Sequence, residues 1–361
     1  MKATCDELSS RLKIKWGEFI EENWTKYLGK LWRKRKGRYQ VKLPREYYQK
    51  MSAVYGMERA KSIVAPFIAA KELREYSSAR LQMKEAERYR CVVGKGLWSS
   101  RCRPDLGYSA KEIGHRAKEP TQTAECAAKR LVRYVRGTED AYLELGFDEK
   151  QDGGDLRSYS DSSWASDAGR KSTSGCVLTC GGFLLNFYSR SQATVALSSC
   201  EAELLAANAA AQEGLLAQSI LQEIGWKVEL TILTDNTGVV KTVLRRGVGR
   251  MKHLEIREIW LQEAVRDKRL RVQSIRGSHN PADLLTKPLQ GARLRMLAEM
   301  VGMRFPTEEE SVCMIEEGPM PNGPVPVAAA AADLGAGGQR DPMELGTKLL
   351  DLKGDCKAGG F

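Results

Sequence analysis

Four acids carry chemistry in this sequence if the fold gathers them: Asp161, Glu203, Asp235 and Asp283. Three of them stand where a regular element meets a loop. Segment 156–161 reads as a short strand ending in the Asp161 carboxylate, with Ser162-Ser163 beginning a turn. Segment 228–234 is β-branched and largely apolar, as a sheet-buried strand is, and it runs into Asp235. Asn280-Pro281-Ala282-Asp283 opens a helix. In open α/β sheets such ends are where sites form, and acids crowded there repel one another unless divalent cations fill the cluster.

Glu203 lies inside a helix-like segment, 197–224. Winding it at about 100° per residue puts Glu201, Asn208, Gln212 and Ser219 within roughly 20° of one another, as a solvent stripe. Glu203 falls about 160° from that stripe, on a face shared with Ala206, Ala207 and Ala210, which are small enough to lie close against a sheet. A carboxylate there needs a cationic partner. For the helix alone a buried arginine is the simpler partner, and a metal ion is the other.

Each remaining acid also has a plain structural reading. Asp235 with Asn236 suits the cap of a helix over 237–246, and Asp283 stands at the third helical position if Asn280 is the cap and Pro281 the first residue. Asp161 on its own suits a turn.

Taken together, the words around these acids resemble the ribonuclease H domain of copia-type (Ty1/copia) retrotransposon polyproteins. The matching words are Tyr159-Ser160-Asp161, Arg170-Lys171-Ser172-Thr173-Ser174-Gly175, Ala196-Leu197-Ser198-Ser199-Cys200-Glu201-Ala202-Glu203, Thr234-Asp235-Asn236, Lys252-His253 and Ala282-Asp283-Leu284-Leu285-Thr286-Lys287-Pro288-Leu289. They fall in the family's order over about 130 residues. The resemblance implies an α/β fold: a ribonuclease H-like mixed five-stranded sheet flanked by helices, preceded by a smaller α+β region; the composition past Met303 predicts a disordered tail after it. Its implied limits are 1–58 for a remnant of the reverse transcriptase C-terminal region, 59–150 for a connection, 151–290 for the ribonuclease H domain and 291–361 for the tail.

The chemistry implied is Mg²⁺-dependent endonucleolytic hydrolysis of the RNA strand of RNA/DNA hybrids, with two ions and with Mn²⁺ able to substitute. Carried over from the family, Asp161 bridges both ions. Glu203 and Asp235 hold the ion on the leaving side, and Asp283 the ion that binds the attacking water. His279 stands in for the family's mobile-loop histidine. Ser198, Ser199 and Asn236, next to the acids, are the candidate contacts to a hybrid, whose 2′-hydroxyls are sensed through shape and polar groups. His253 reads as a binding or structural residue and His115 as incidental. Glu201 matches the family's first glutamate and is not assigned to metal. The alternative function is a non-catalytic nucleic-acid-binding remnant. An integrase-like reading needs a D-D-E order, which the fourth acid Asp283 argues against.

The preceding region carries the resemblance further. Tyr27-Leu28-Gly29, a hairpin-like stretch around Lys36-Gly37-Arg38 and a helix from Arg45 resemble the end of the reverse transcriptase, whose catalytic Tyr-Val-Asp-Asp is not in this sequence, so polymerase activity is not expected. The polymerase part of the same element is an implied partner. Arg103-Pro104-Asp105 and 131–138 match the connection, where Ala124, Ala127, Ala128, Leu131, Val132 and Val135 space out a one-sided helix and Arg130, Arg133 and Arg136 are candidate phosphate contacts. Departures from the family stand at Ile259, Phe187-Tyr188, Cys200 and Leu204; none of these positions is an expected metal ligand.

Composition sets the bounds. The chain has 361 residues and a formal charge of +11. Nine basic residues and no acid fall between Lys26 and Arg45, interleaved with Tyr27, Trp32 and Tyr39, which suits either a polyanion with stackable bases or a solvated basic face. No run is long and apolar enough for a membrane span, no signal-peptide stretch opens the sequence, and nine cysteines without a CxxC pair fit reduced thiols. The expected location is intracellular, cytoplasmic in a virus-like particle or nuclear. Past Met303 the composition turns to Pro, Gly and Ala.

Overall fold

The computed structural model describes residues 19–67, 79–146, 154–166, 169–247 and 256–306. The expected boundary at 150–155 falls mostly outside them, as do Lys252-His253 and everything after residue 306.

Two five-stranded sheets organise the chain. The first is antiparallel throughout and contains β1 (Thr25–Tyr27), β2 (Lys30–Arg35), β3 (Arg38–Lys42), β4 (Tyr142–Leu145) and, at its far edge, β10 (Met303–Arg304). Lys36 and Gly37 both take positive φ, the primed turn geometry that matches the twist of a two-residue hairpin, so the basic hairpin expected from the sequence forms. Four helices pack on this sheet: α1 (Arg45–Ala53), α2 (Met83–Ser99), α3 (Gly107–Gly114) and α4 (Gln122–Arg136). The one-sided spacing of α4 is realised, with Ala124, Ala127, Ala128, Leu131, Val132 and Val135 all buried.

Arg133 and Arg136 donate to the backbone carbonyls of Lys61 and Ala60. The Arg-Pro-Asp word is a strut. Arg103 and Asp105 form a fully buried ion pair, which Thr138 and the Tyr134 hydroxyl complete.

The second sheet is mixed, in the order β7-β6-β5-β8-β9. Its central strand β5 (Asp155–Ser163) pairs antiparallel with β6 (Thr173–Cys180), which pairs antiparallel with β7 (Phe183–Ser191) across a Gly181-Gly182 turn with both φ positive. On its other side β5 runs parallel to β8 (Glu229–Thr234), and β8 to β9 (Arg271–Ser274). Parallel neighbours need a crossover. It is provided by the long helix α5 (Ser199–Glu223), while α6 (Thr237–Leu244) and α7 (Ile256–Arg266) link β8 to β9.

The strands of this sheet show both faces of a buried layer. On β6, Leu178 joins Leu204, Ala207 and Ala211 of α5 in one core, whereas Val177 joins Leu131, Leu284 and Leu294 in the other. The face away from α5 is therefore covered by the segments that precede and follow the sheet. Residues 291–304, counted with the tail on sequence grounds, form α8 (Gly291–Met300) and β10, and both pack into the first unit's core. Periodicity alone does not show this, since β10 finds its partner β4 about 160 residues earlier in the chain.

Candidate active site

Three elements bring Asp161, Glu203 and Asp235 together. Asp161 stands near the C-terminal end of β5 and is 1% exposed. Glu203 is in the second turn of α5, whose N-cap Ser198 accepts from the Glu201 backbone N–H at 3.1 Å. Asp235 directly follows β8, which is in parallel register with β5, Ser160 opposite Thr234. Ligand oxygens of the three lie within 4.8 Å of one another.

The helix-cap reading of Asp235 is excluded by its neighbour. Asn236 is the cap of α6 and its Oδ1 accepts from the backbone of Gly238 and Val239 at 2.9 and 3.2 Å. The Asp235 carboxylate is thereby left to the acid cluster. The arginine reading of Glu203 also gives way. Its Oε2 is buried with no hydrogen-bond partner, an expensive state for a carboxylate oxygen unless a cation supplies what the protein does not.

The electrostatics follow from this crowding. Burial, reinforced by the charges of Asp161 and Asp235, pushes the Glu203 carboxyl up to about 8. Burial also pushes Asp161 up to about 6, against the opposing pull of Lys287 and Thr286.

Asp283 reaches the cluster by a different route. Asn280 caps a short 3₁₀ turn, Pro281–Leu285, accepting from Ala282 N and donating to the Ser160 carbonyl on β5 at 3.0 Å. That bond ties the fourth acid's turn to the strand carrying the first. Asp283 Oδ1 lies 2.6 Å from Lys287 Nζ, which is also 3.1 Å from Asp161 Oδ1. Arg293 of α8 approaches Asp283 Oδ2 at 3.3 Å, and the Thr286 hydroxyl donates to Asp161 Oδ2. Asp283 is thus linked to Asp161 through an ammonium and stands outside the three-acid cluster.

The remaining expected residues are placed as follows. His279 is exposed at the end of a Gly277–His279 turn, its Nδ1 2.9 Å from Ser278 Oγ. The turn abuts the site at Gly277, where a Cβ would lie 2.9 Å from Asp235 Oδ2. Ser199 is exposed at the start of α5, while Ser198 and Asn236 each commit an oxygen to a helix cap. Ser191 Oγ lies 2.9 Å from His115 Nε2.

The expected solvent stripe on α5 is corrected in its first half. Glu201 is buried and turns back to accept from Leu197 N at 2.8 Å, and Asn208 is buried in a cleft shared with Tyr188, Gln192 and Trp260. Gln212 and Ser219 are exposed as expected.

Thr286, Lys287 and Arg293 are the residues that sequence reasoning passed over. An acid followed four positions later by a lysine within the Ala282–Leu289 word was the available signal for Lys287. Arg293 had none.

A sheet ordered 3-2-1-4-5, with its first three strands antiparallel, its last two parallel and acids at the ends of the two central strands, defines a ribonuclease H-like domain. No family model matches the chain. It is 28% identical over 266 residues to the Retrovirus-related Pol polyprotein from transposon TNT 1-94 of Nicotiana tabacum, covering 72% of this chain and 20% of that protein. It is 29% identical over 265 residues to the corresponding polyprotein from transposon RE1 of Arabidopsis thaliana, covering 72% and 18%. The chain thus spans about a fifth of the length of these relatives. Among solved structures, the N-terminal RNase H domain of Rv2228c from Mycobacterium tuberculosis is similar at 17% identity and a TM-score of 0.26, covering 40% of this chain and 96% of that one. Over 72% of its length the chain is similar to retrovirus-related Pol polyproteins of copia-type transposons.

Among the described residues no helix is long and apolar enough to cross a membrane.

Proposed function

We propose that this domain hydrolyses the RNA strand of RNA/DNA hybrids endonucleolytically, as the Mg²⁺-dependent ribonuclease H part of a copia-type Pol polyprotein. The observation that carries the reading is the convergence of Asp161, Glu203 and Asp235, with Glu203 Oε2 buried and unpartnered. Three carboxylates offering only oxygen suit a hard divalent cation such as Mg²⁺, or Mn²⁺ in its place. Bound there, such ions supply a water nucleophile at neutral pH and neutralise charge on the phosphate that is cut.

The chain's own residues do the rest. Asp161, Glu203 and Asp235 hold the cations, and Asp283 offers a fourth carboxylate beside Asp161. Rigid supports fix them: Asn280 on the Ser160 carbonyl and the caps at Ser198 and Asn236. Ser199 and His279, exposed at the rim, are the polar groups available to the hybrid backbone and to product release.

Positive charge for the polyanion comes from the hairpin of β2 and β3. Lys34 and Lys36 are exposed there beside exposed Tyr39, whereas Arg38, Lys42 and Arg45 are committed to Glu144 and Asp140. The domain limits 1–58, 59–150 and 151–290 belong to the same proposal, with the first two segments also closing the second face of the nuclease sheet.

Cleavage of a labelled hybrid with Mg²⁺ tests the reading, comparing wild type with Asp161→Asn and Asp235→Asn. The reading expects the RNA strand to be cut by wild type at least about a hundredfold faster than by either variant. Wild-type cutting no faster than the variants leaves a nucleic-acid-binding protein without turnover.

A further inference from the structure

The four acids fall into two halves that the chain treats differently. In the Asp161–Asp283 half all four carboxylate oxygens have donors: Thr286 Oγ1 on Asp161 Oδ2, Lys287 Nζ on both Oδ1 atoms, and Arg293 Nη2 on Asp283 Oδ2. In the other half Glu203 accepts a backbone hydrogen bond from Ser162, but its Oε2, in a residue only 8% exposed, has no donor. One half has a lysine ammonium in contact with its carboxylates, and the other offers a buried carboxylate oxygen with no protein donor.

Lys287 is built for this position. It follows Asp283 by four residues, past the end of the 3₁₀ turn, and its backbone N–H donates to the Asp283 carbonyl at 3.2 Å. Pro288 after it restricts its backbone to extended geometry. Its ammonium satisfies the two facing oxygens at 3.1 and 2.6 Å, while its side chain keeps 39% of its surface in solvent, which leaves the ammonium a path outward. Any divalent cation ligated by the facing oxygens of Asp161 and Asp283 takes the two bonds that Lys287 now makes.

We infer that Lys287 is a tethered competitor for the second cation. It holds the Asp161–Asp283 half closed, so a divalent cation enters the Asp161–Glu203–Asp235 half first and enters the other only as Lys287 swings into solvent. This rests on the divalent-cation reading proposed above and adds an order of filling and the residue that sets it. Lys287 is on this account a positioning residue that tunes ion affinity.

Calorimetric titration of Mn²⁺ into the chelator-treated full chain tests it, for wild type, Lys287→Gln and Lys287→Met. Wild type is expected to bind one ion strongly and a second weakly, and both variants to bind the second about tenfold or more tightly, because a like charge has left the site. Unchanged number and affinity of ions in both variants overturns the inference and leaves the metal reading standing. No Mn²⁺ bound by any of the three overturns both.

Losing Lys287 also leaves two acids uncompensated, so the metal-free variants are expected to melt earlier. The rise in thermal midpoint on adding Mn²⁺ is the second readout. It is expected to be larger in Lys287→Gln than in wild type, and an equal or smaller rise counts against the inference.

Discussion

Asp161 pairs directly with Gly175 across the β5–β6 ladder, and the missing side chain at 175 is what admits the turn carrying Asp283. A Cβ there would lie 2.7 Å from Thr286 Cγ2, 2.9 Å from the Ala282 carbonyl and 3.0 Å from Leu285 Cβ. One contact is with backbone, which has little freedom to yield. Gly175→Ala is therefore expected to destabilise the protein by about 1–3 kcal/mol in urea denaturation and to lower hybrid cleavage by displacing Thr286 and Lys287 from Asp161. An unchanged urea midpoint with unchanged cleavage contradicts this placement of the turn.

The pH dependence of stability follows from the buried acids. Burial and two neighbouring carboxylates raise the Glu203 carboxyl from 4.5 to about 8, so the folded chain holds this proton more tightly than the unfolded chain. Its contribution to metal-free stability is full below about pH 4.5, falls through neutral pH and is gone above about pH 8. Asp161 adds the same trend between 3.8 and about 6. Thermal midpoints measured in chelator from pH 5 to pH 9 are expected to fall more steeply for wild type than for Glu203→Gln, which other titrating groups share equally. Parallel profiles for the two proteins would show that Glu203 is not buried among acids.

The buried pair of Arg103 and Asp105 makes a separate prediction about the unit that backs the nuclease sheet. Both side chains are fully buried, and Arg103 also donates to the Thr138 carbonyl at 2.9 Å and its hydroxyl at 2.8 Å. Arg103→Met leaves the buried Asp105 carboxylate with only the Tyr134 hydroxyl donating to it and the Thr138 carbonyl without its donor, and a loss of about 3–5 kcal/mol in urea denaturation is expected. Arg103→Met with Asp105→Leu is expected to recover part of the loss, because no charge is left unpaired. A single variant within about 0.5 kcal/mol of wild type refutes the strut.

Much of this was legible in local patterns. A β-branched run marked β8, and the small-residue face of α5 located Glu203 as a buried acid. Asn280-Pro281 marked the turn of Asp283, which proved a short 3₁₀ turn and not a longer helix.

What sequence did not show was long-range. A helical wheel reports one layer of neighbours, so it could not foresee that the first half of α5 is covered on the side of Glu201 and Asn208 as well. The pairing of β10 with β4, and the closure of the sheet's second face by Leu131 and Leu294 on Val177, depend on segments that are neighbours only after folding. Lys287 lay inside a quoted motif, yet its second partner Asp161 is 126 residues earlier in the chain.

The most direct measurement of the central claim is the anomalous scattering of Mn²⁺ in crystals of the full chain. The account predicts a peak about 2.2 Å from carboxylate oxygens of Asp161, Glu203 and Asp235 together, with the previously unpartnered Glu203 Oε2 among its ligands. Crystals at millimolar Mn²⁺ with no peak among these three residues, and with Glu203 Oε2 bonded to a protein donor, would contradict it.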